Sequence, residues 1–153
     1  MFRTRIFHAS RNPGTSSRKF EFLMRIRLLI SILFLVPAGF FTKLYAGPAS
    51  RWVYDSLGGV LYVIFWCLAA ASIRPQASPL RIGAIVFFLT SLLEFSQLWH
   101  PAFLIPVREN FLGRTLIGHA FAWSDFPHYL AGALLGVFWI VWIRHSSEQD
   151  QPS

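Results

Sequence analysis

Residues 82–99, with the sequence IGAIVFFLTSLLEFSQLW, decide the fold. They form an apolar run in which Glu94 is the single charged side chain. A helix rises about 1.5 Å per residue, so a run of this length crosses most of the roughly 30 Å hydrocarbon core of a bilayer. The pattern is typical of a membrane-spanning helix.

Three more apolar runs, at residues 28–41, 57–73 and 126–143, have the same character. We therefore expect an all-α polytopic membrane protein with about four transmembrane helices. The connection before the fourth run is longer than the others and contains the amphipathic sequence VRENFLGRTLIGHAFAW at 107–123. It predicts an interfacial or re-entrant segment between helices three and four.

The composition indicates a single transmembrane domain flanked by polar tails. Of the 153 residues, 54% are hydrophobic and 14% are charged, which leaves too little polar surface to coat a soluble globule. We expect a transmembrane domain at 24–145, between a basic, disordered tail at 1–23 and a polar C-terminal tail at 146–153. Two alternatives are open at the N-terminus: translation could begin at Met24, or the first apolar run could be a signal peptide with a poor cleavage site.

The formal net charge of +7 comes largely from the N-terminus, where seven of the fourteen Lys and Arg residues precede the first apolar run. Such clusters can bind nucleic acid, but the positive-inside rule accounts for these charges, so we expect no nucleic-acid partner. With the N-terminus inside, ten basic residues lie on the inner side and four on the outer side. The count favours an orientation with both termini in the cytoplasm.

Glu94 is the residue that most strongly indicates a functional site. A charged side chain in a span costs about 2.5–3.5 kcal/mol on insertion scales, so this carboxylate should face the bundle interior and either have a partner or be protonated. Thr90, Glu94 and Gln97 recur at helical spacing and lie on one face. Two interpretations are open: a functional site, or a polar contact that holds helices together.

The fourth run presents a matching face. Asp125, Tyr129, Gly132 and Gly136 follow helical spacing, and the two glycines form a G-x-x-x-G motif that lets another helix approach closely. The second run has a similar pattern, with Asp55 near its start. Either aspartate could instead cap the N-terminus of its helix.

In the predicted orientation these side chains meet Lys43 and the basic residues of the long connection at the outer membrane face. We predict Glu94, His119 and Asp125 as candidate catalytic groups, because carboxylates and imidazoles transfer protons. A second set is predicted to bind a ligand: Lys43, Asp55, Gln97, Arg108, Arg114 and Tyr129. The alternative is ordinary phospholipid contact by an interfacial helix. The histidines lack metal-ligand spacing and Cys67 is the single cysteine, so we expect no metal and no cofactor.

Three segments resemble domain-of-unknown-function family 2809, small integral membrane proteins of bacteria: GFFTKLYAGP (39–48), LLEFSQLWH (92–100) and RTLIGHAFAWSDFPHYLAGALLG (114–136). The resemblance implies a bacterial inner-membrane location and a polar signature of Glu94, Gln97, Arg114, His119, Asp125 and Tyr129. It implies no reaction, since the family has no assigned activity. The order Glu-x-x-Gln, Arg, Asp and two spaced glycines is also similar, more weakly, to VanZ-like membrane proteins, a group linked to glycopeptide resistance.

The chain departs from the family pattern at the start of the second run. An acidic residue is expected there after a glycine, but this sequence has Gly58 and Gly59, and the nearest acid is Asp55, one turn earlier. Either Asp55 substitutes for the expected acid or that part of the site is altered.

Two functions compete. The first is binding or processing of an anionic lipid, or of a lipid-linked envelope molecule, at the outer face, with membrane lipids as partners. The second is a non-enzymatic helper or oligomerising subunit, whose Gly132/Gly136 face packs against a partner such as a second copy of the chain. A proton-coupled transporter is disfavoured, because polar residues are scarce in the cytoplasmic halves of the spans.

Overall fold

The computed structural model describes residues 13–98, Asn110 and residues 121–149, with side chains from Arg18 onward. Four helices in these ranges are long and apolar enough to cross a membrane. They are α1 (Pro13–Leu44), α2 (Ser50–Ile73), α3 (Pro79–Ser96) and α4 (Asp125–Gln149). The predicted all-α, four-helix architecture of a multi-pass membrane protein is confirmed. The predicted interfacial or re-entrant segment lies outside the described residues.

Helix α1 begins at Pro13, well before the boundary at residue 23 that we expected for the basic tail. Met24 and Leu28 are fully buried, and the Glu21 carboxylate accepts a hydrogen bond from the Gln76 side chain at 2.9 Å. These contacts hold α1 against the bundle at residues 21–28. Residues 13–23 are helical and continuous with the first span, while the division of the chain into tails and a transmembrane domain stays a prediction.

Helix α2 begins at Ser50 instead of residue 57. Ala49 precedes it in the left-handed region at φ 57°, and the helix widens into a π-helical turn at Val53–Leu57. Asp55 lies inside this turn, so it does not cap the start of the helix, and that alternative is wrong. Single π-helical turns inside α-helices often occur at functional sites.

Helices α2 and α4 form the central pair, while α1 packs mainly on α2 and α3 packs mainly on α4. A Cβ atom at Gly132 would lie 2.8 Å from the Val60 carbonyl oxygen, and one at Gly136 would lie 2.7 Å from Cys67 Cβ. Because glycine has no Cβ, the backbones of α2 and α4 approach closely here.

Two hydrogen bonds join helix ends at one end of the bundle. Lys43, at the end of α1, donates to the carbonyl of Tyr54 near the start of α2. Tyr129, near the start of α4, donates to Glu94 near the end of α3. Helices α1 and α3 thus run in one direction and α2 and α4 in the other.

Arg144 fixes the opposite end. Its guanidinium donates to the carbonyl of Pro75 at 2.7 Å and also to the carbonyl of Ala77, both in the connection between α2 and α3. The end of α4 is thereby fastened to that connection.

The outward faces of α1, α3 and α4 are apolar. Large side chains that are about half exposed or more include Leu33, Phe34, Phe41, Ile85, Phe88, Leu89, Leu134, Leu135, Phe138 and Trp142. An apolar surface this extensive suits acyl chains rather than water.

Candidate functional site

The structure brings six of the predicted site residues to one end of the bundle. They come from four helices and are Lys43 in α1, Asp55 in α2, Glu94 and Gln97 at the end of α3, and Asp125 and Tyr129 in α4. We call these six side chains the polar cluster. Three other predicted residues, Arg108, Arg114 and His119, lie outside the described residues.

Glu94 is the anchor of the polar cluster and is 1% exposed. Its Oε2 accepts hydrogen bonds from the Tyr129 hydroxyl at 2.8 Å and from Gln97 Nε2 at 2.7 Å. Its Oε1 accepts one from the backbone N–H of Ala122 at 2.8 Å. All three partners donate, so the carboxylate acts purely as an acceptor. Glu94 therefore ties α3 to α4 and to the chain just before α4.

Thr90 and Gln97 share the buried face of Glu94, and each is 5% exposed. The Thr90 hydroxyl donates to the Val86 carbonyl at 2.9 Å and is satisfied within its own helix. Gln97 Oε1 is buried and accepts no hydrogen bond from the described residues. Thr90, Glu94 and Gln97 are thus all buried, and Gln97 retains an acceptor that no described residue uses.

Lys43 contacts α2 and interacts electrostatically with two aspartates. Its Nζ donates to the Tyr54 carbonyl at 2.9 Å and lies 3.8 Å from the centroid of the Tyr54 ring. Asp55 and Asp125 both act on it electrostatically. Within the described part of the chain, Lys43 forms no direct ion pair with either aspartate.

The carboxylates of the polar cluster are close enough to repel one another. Asp125 interacts electrostatically with Glu94 and with Asp55. Three carboxylates against the single ammonium of Lys43 leave an excess of two negative charges when all are ionised. The polar cluster is therefore acidic and rich in hydrogen-bond acceptors.

Gly58 and Gly59 make room for the polar cluster. A Cβ atom at Gly58 would lie 3.2 Å from Lys43 Nζ, and one at Gly59 would lie 3.3 Å from the Tyr129 ring. A larger residue at either position would crowd those side chains. Asp55 interacts electrostatically with Lys43 and Asp125, and its substitution for the acid expected near Gly59 stays a prediction.

Residues 49–133, more than half of the chain, match a family described as protein of unknown function (DUF2809). The chain belongs to the DUF2809 family. The predicted resemblance to it is confirmed, whereas the VanZ-like resemblance is not shown. No solved structure matches the chain. The DUF2809 match contains the whole polar cluster except Lys43, which precedes it.

In this DUF2809 protein, α2 of the same chain covers the face of α4 that carries Gly132 and Gly136. The close helix approach that the two glycines permit is thus made within one chain. The predicted second copy at this face would have to displace α2.

Four aromatic side chains beside the polar cluster were not predicted as a group. Phe95, Phe121, Trp123 and Phe126 have ring centroids 5.1–6.1 Å apart. Phe121 and Trp123 flank Ala122, whose N–H donates to Glu94. Trp residues near the ends of apolar runs are typical of the membrane interface, so Trp123 is the member of this group that the sequence could have indicated.

Proposed function

We propose that the polar cluster binds the phosphate-bearing headgroup of an anionic lipid or of a lipid-linked envelope molecule. The observation that carries the proposal is the convergence of six polar side chains, from four helices, at one end of a bundle whose outward faces are apolar. Polar and ionisable residues in membrane helices are costly and commonly mark ligand sites. Lys43 is the cationic member of the polar cluster and is the group that would meet the phosphate.

The basic residues of the α3–α4 connection support the proposal. Arg108 and Arg114 belong to the chain that joins the end of α3 to the start of α4, and both of those ends contribute to the polar cluster. Arginine binds phosphate through paired hydrogen bonds. Two arginines near the site would supply further donors to a phosphate.

If the ligand is also processed, Asp125 is better placed than Glu94 to accept a proton. The Glu94 oxygens already accept three hydrogen bonds, whereas Asp125 is partly exposed and, among the described residues, receives a single long contact of 3.4 Å from Ser124 Oγ. Asp125 and His119 are then the candidate base and acid, and Glu94 is a positioning residue.

Mass spectrometry of lipids that co-purify with the protein tests the proposal. Lys43→Gln removes the positive charge that would meet the phosphate, while Ser72→Ala changes a hydroxyl at the opposite end that, among the described residues, donates to the Ala69 carbonyl. We expect wild type and Ser72→Ala to retain the same phosphate-bearing lipid and Lys43→Gln to retain less of it, at equal melting temperature. Identical lipid profiles in all three proteins would contradict the proposal.

We further propose that the polar cluster lies at the outer face of a bacterial cytoplasmic membrane, with both termini inside. The excess of basic residues at the N-terminus supports this orientation. Cysteine substitutions at the exposed residues Ala46 and Ser78 test it, because they lie in connections at opposite ends of the bundle. A membrane-impermeant maleimide should label Ala46→Cys but not Ser78→Cys in intact cells, and the reverse pattern would invert the orientation.

The alternative, a non-enzymatic helper or oligomerising subunit, has weaker support. It relied on Gly132 and Gly136 as the contact with a partner helix, and that face is already packed against Val60, Val63 and Cys67. An oligomer would have to use another face of the bundle.

A further inference from the structure

Gln97 holds an unused acceptor inside the polar cluster. Its side chain is 5% exposed, and its Nε2 donates to Glu94 Oε2 at 2.7 Å, which places the amide against that carboxylate. Its Oε1 is buried, and no donor among the described residues reaches it. Buried acceptors are normally paired, so this atom marks a position for a donor.

The surroundings of this acceptor favour a cationic donor. Asp125 interacts electrostatically with Glu94, and Asp55 acts on Asp125. Lys43 donates to the Tyr54 carbonyl and does not pair directly with either aspartate in the described part of the chain. Opposite charges attract strongly where water is scarce, so a positive group is stabilised here.

An organic cation fits these residues better than a metal ion does. Within the described ranges, no three His, Cys, Asp or Glu side chains form a group able to hold a metal. Glu94 is also occupied by three donors. An ammonium group needs only acceptors for its N–H bonds, and Gln97 Oε1 is one.

We infer that the headgroup bound by the polar cluster carries a primary ammonium beside its phosphate, and that this ammonium donates to Gln97 Oε1 in the field of Asp125. The inference rests on the proposed function and narrows its ligand to lipids with a phosphate-linked primary amine. Phosphatidylserine is an anionic lipid of this class, and phosphatidylethanolamine, which is zwitterionic, is the simplest probe of the amine. In this arrangement Lys43 binds the phosphate, while Gln97 and Asp125 bind the ammonium group.

Three lipids with identical acyl chains test the inference. Phosphatidylethanolamine and phosphatidylcholine carry the same charges, but the trimethylated nitrogen of phosphatidylcholine has no N–H to donate. Phosphatidylglycerol carries the phosphate without a cation. The full-length protein is equilibrated with mixed vesicles of the three, extracted, and analysed by native mass spectrometry. We expect phosphatidylethanolamine to be retained about tenfold over phosphatidylcholine, the effect of one hydrogen bond with a charged partner.

Two variants separate the acceptor from its neighbours. Gln97→Met removes Oε1 together with the donor to Glu94, and Thr90→Val, which changes the same buried face outside the polar cluster, is the control. We expect Gln97→Met to abolish the preference for phosphatidylethanolamine and Thr90→Val to keep it. A preference that survives Gln97→Met would overturn the assignment of this atom.

The wild-type comparison keeps the inference testable even where a variant fails to fold. Equal retention of phosphatidylethanolamine and phosphatidylcholine would overturn it. Preferential retention of phosphatidylglycerol would also overturn it and leave the proposed phosphate site standing. Failure to retain any of the three lipids would count against the proposed function as well.

Discussion

The hydrogen bond between Tyr129 and Glu94 predicts a measurable coupling between α3 and α4. Tyr129→Phe removes the hydroxyl that donates to Glu94 Oε2 at 2.8 Å and keeps the ring. Interhelical hydrogen bonds in membrane proteins contribute about 0.6 kcal/mol on average and about 1.7 kcal/mol at most. Because Glu94 is 1% exposed and shielded from water, we expect a value near the upper limit, about 1.5 kcal/mol.

Glu94→Leu should be more destabilising, because it leaves the donors of Tyr129, Gln97 and Ala122 without their acceptor. One unpaired buried donor costs about 1–3 kcal/mol, so three together should cost about 3 kcal/mol or more. In the Glu94→Leu protein, Tyr129→Phe has no hydrogen bond left to remove. Its cost should fall to zero, and it can become favourable because a buried hydroxyl without a partner is removed.

Reversible unfolding in micelles, followed by tryptophan fluorescence, gives the free energies of unfolding of wild type, both single variants and the double variant. We expect a coupling free energy of about 1.5 kcal/mol. Tyr45→Phe is the control, since Tyr45 lies between α1 and α2 and does not bond Glu94. Independent sites add to within about 0.5 kcal/mol, so a Tyr129–Glu94 coupling below that value would refute the role of Glu94 as a helix link.

Two further changes test the packing at other points of the bundle. Gly132→Ala should lower the free energy of unfolding by about 1–3 kcal/mol through overpacking against Val60. Gly39→Ala is the control and should not lower it, because nothing apart from the neighbouring backbone of its own helix lies within 4 Å of the new Cβ. Equal melting temperatures of the two variants would contradict this. Arg144→Lys should speed hydrogen exchange in the α2–α3 connection, because a lysine cannot reproduce the guanidinium that donates to the Pro75 and Ala77 carbonyls. Arg81→Lys, at an exposed position, is the control. Unchanged exchange in Arg144→Lys would show that the connection is held by other contacts.

The four helices were predictable from apolar runs, because a backbone in lipid must satisfy its own hydrogen bonds and a helix does so within one segment. The ends of the helices were not. Pro13 and Ser50 begin their helices in polar sequence outside the apolar runs, and hydrophobicity carries no information about where a helix begins in such sequence.

Part of the site was also predictable. Helical spacing placed Thr90, Glu94 and Gln97 on one face, and all three are buried. The partners of Glu94 depend on how the helices rotate about their axes, which spacing along one helix does not determine. The backbone N–H of Ala122 could not have been predicted as a partner, because any residue type can supply it.

Helix α4 links the packing of the bundle to the polar cluster. Its glycine face lets α2 approach closely, which brings Asp55 near Asp125, while Tyr129, about one turn further along α4, is held by α3 through Glu94. A side chain added at Gly132 would push α2 away and widen the distance between those aspartates. The glycines of α4 therefore serve the site as well as the fold, since the charge density of the polar cluster depends on how closely they let the two central helices pack.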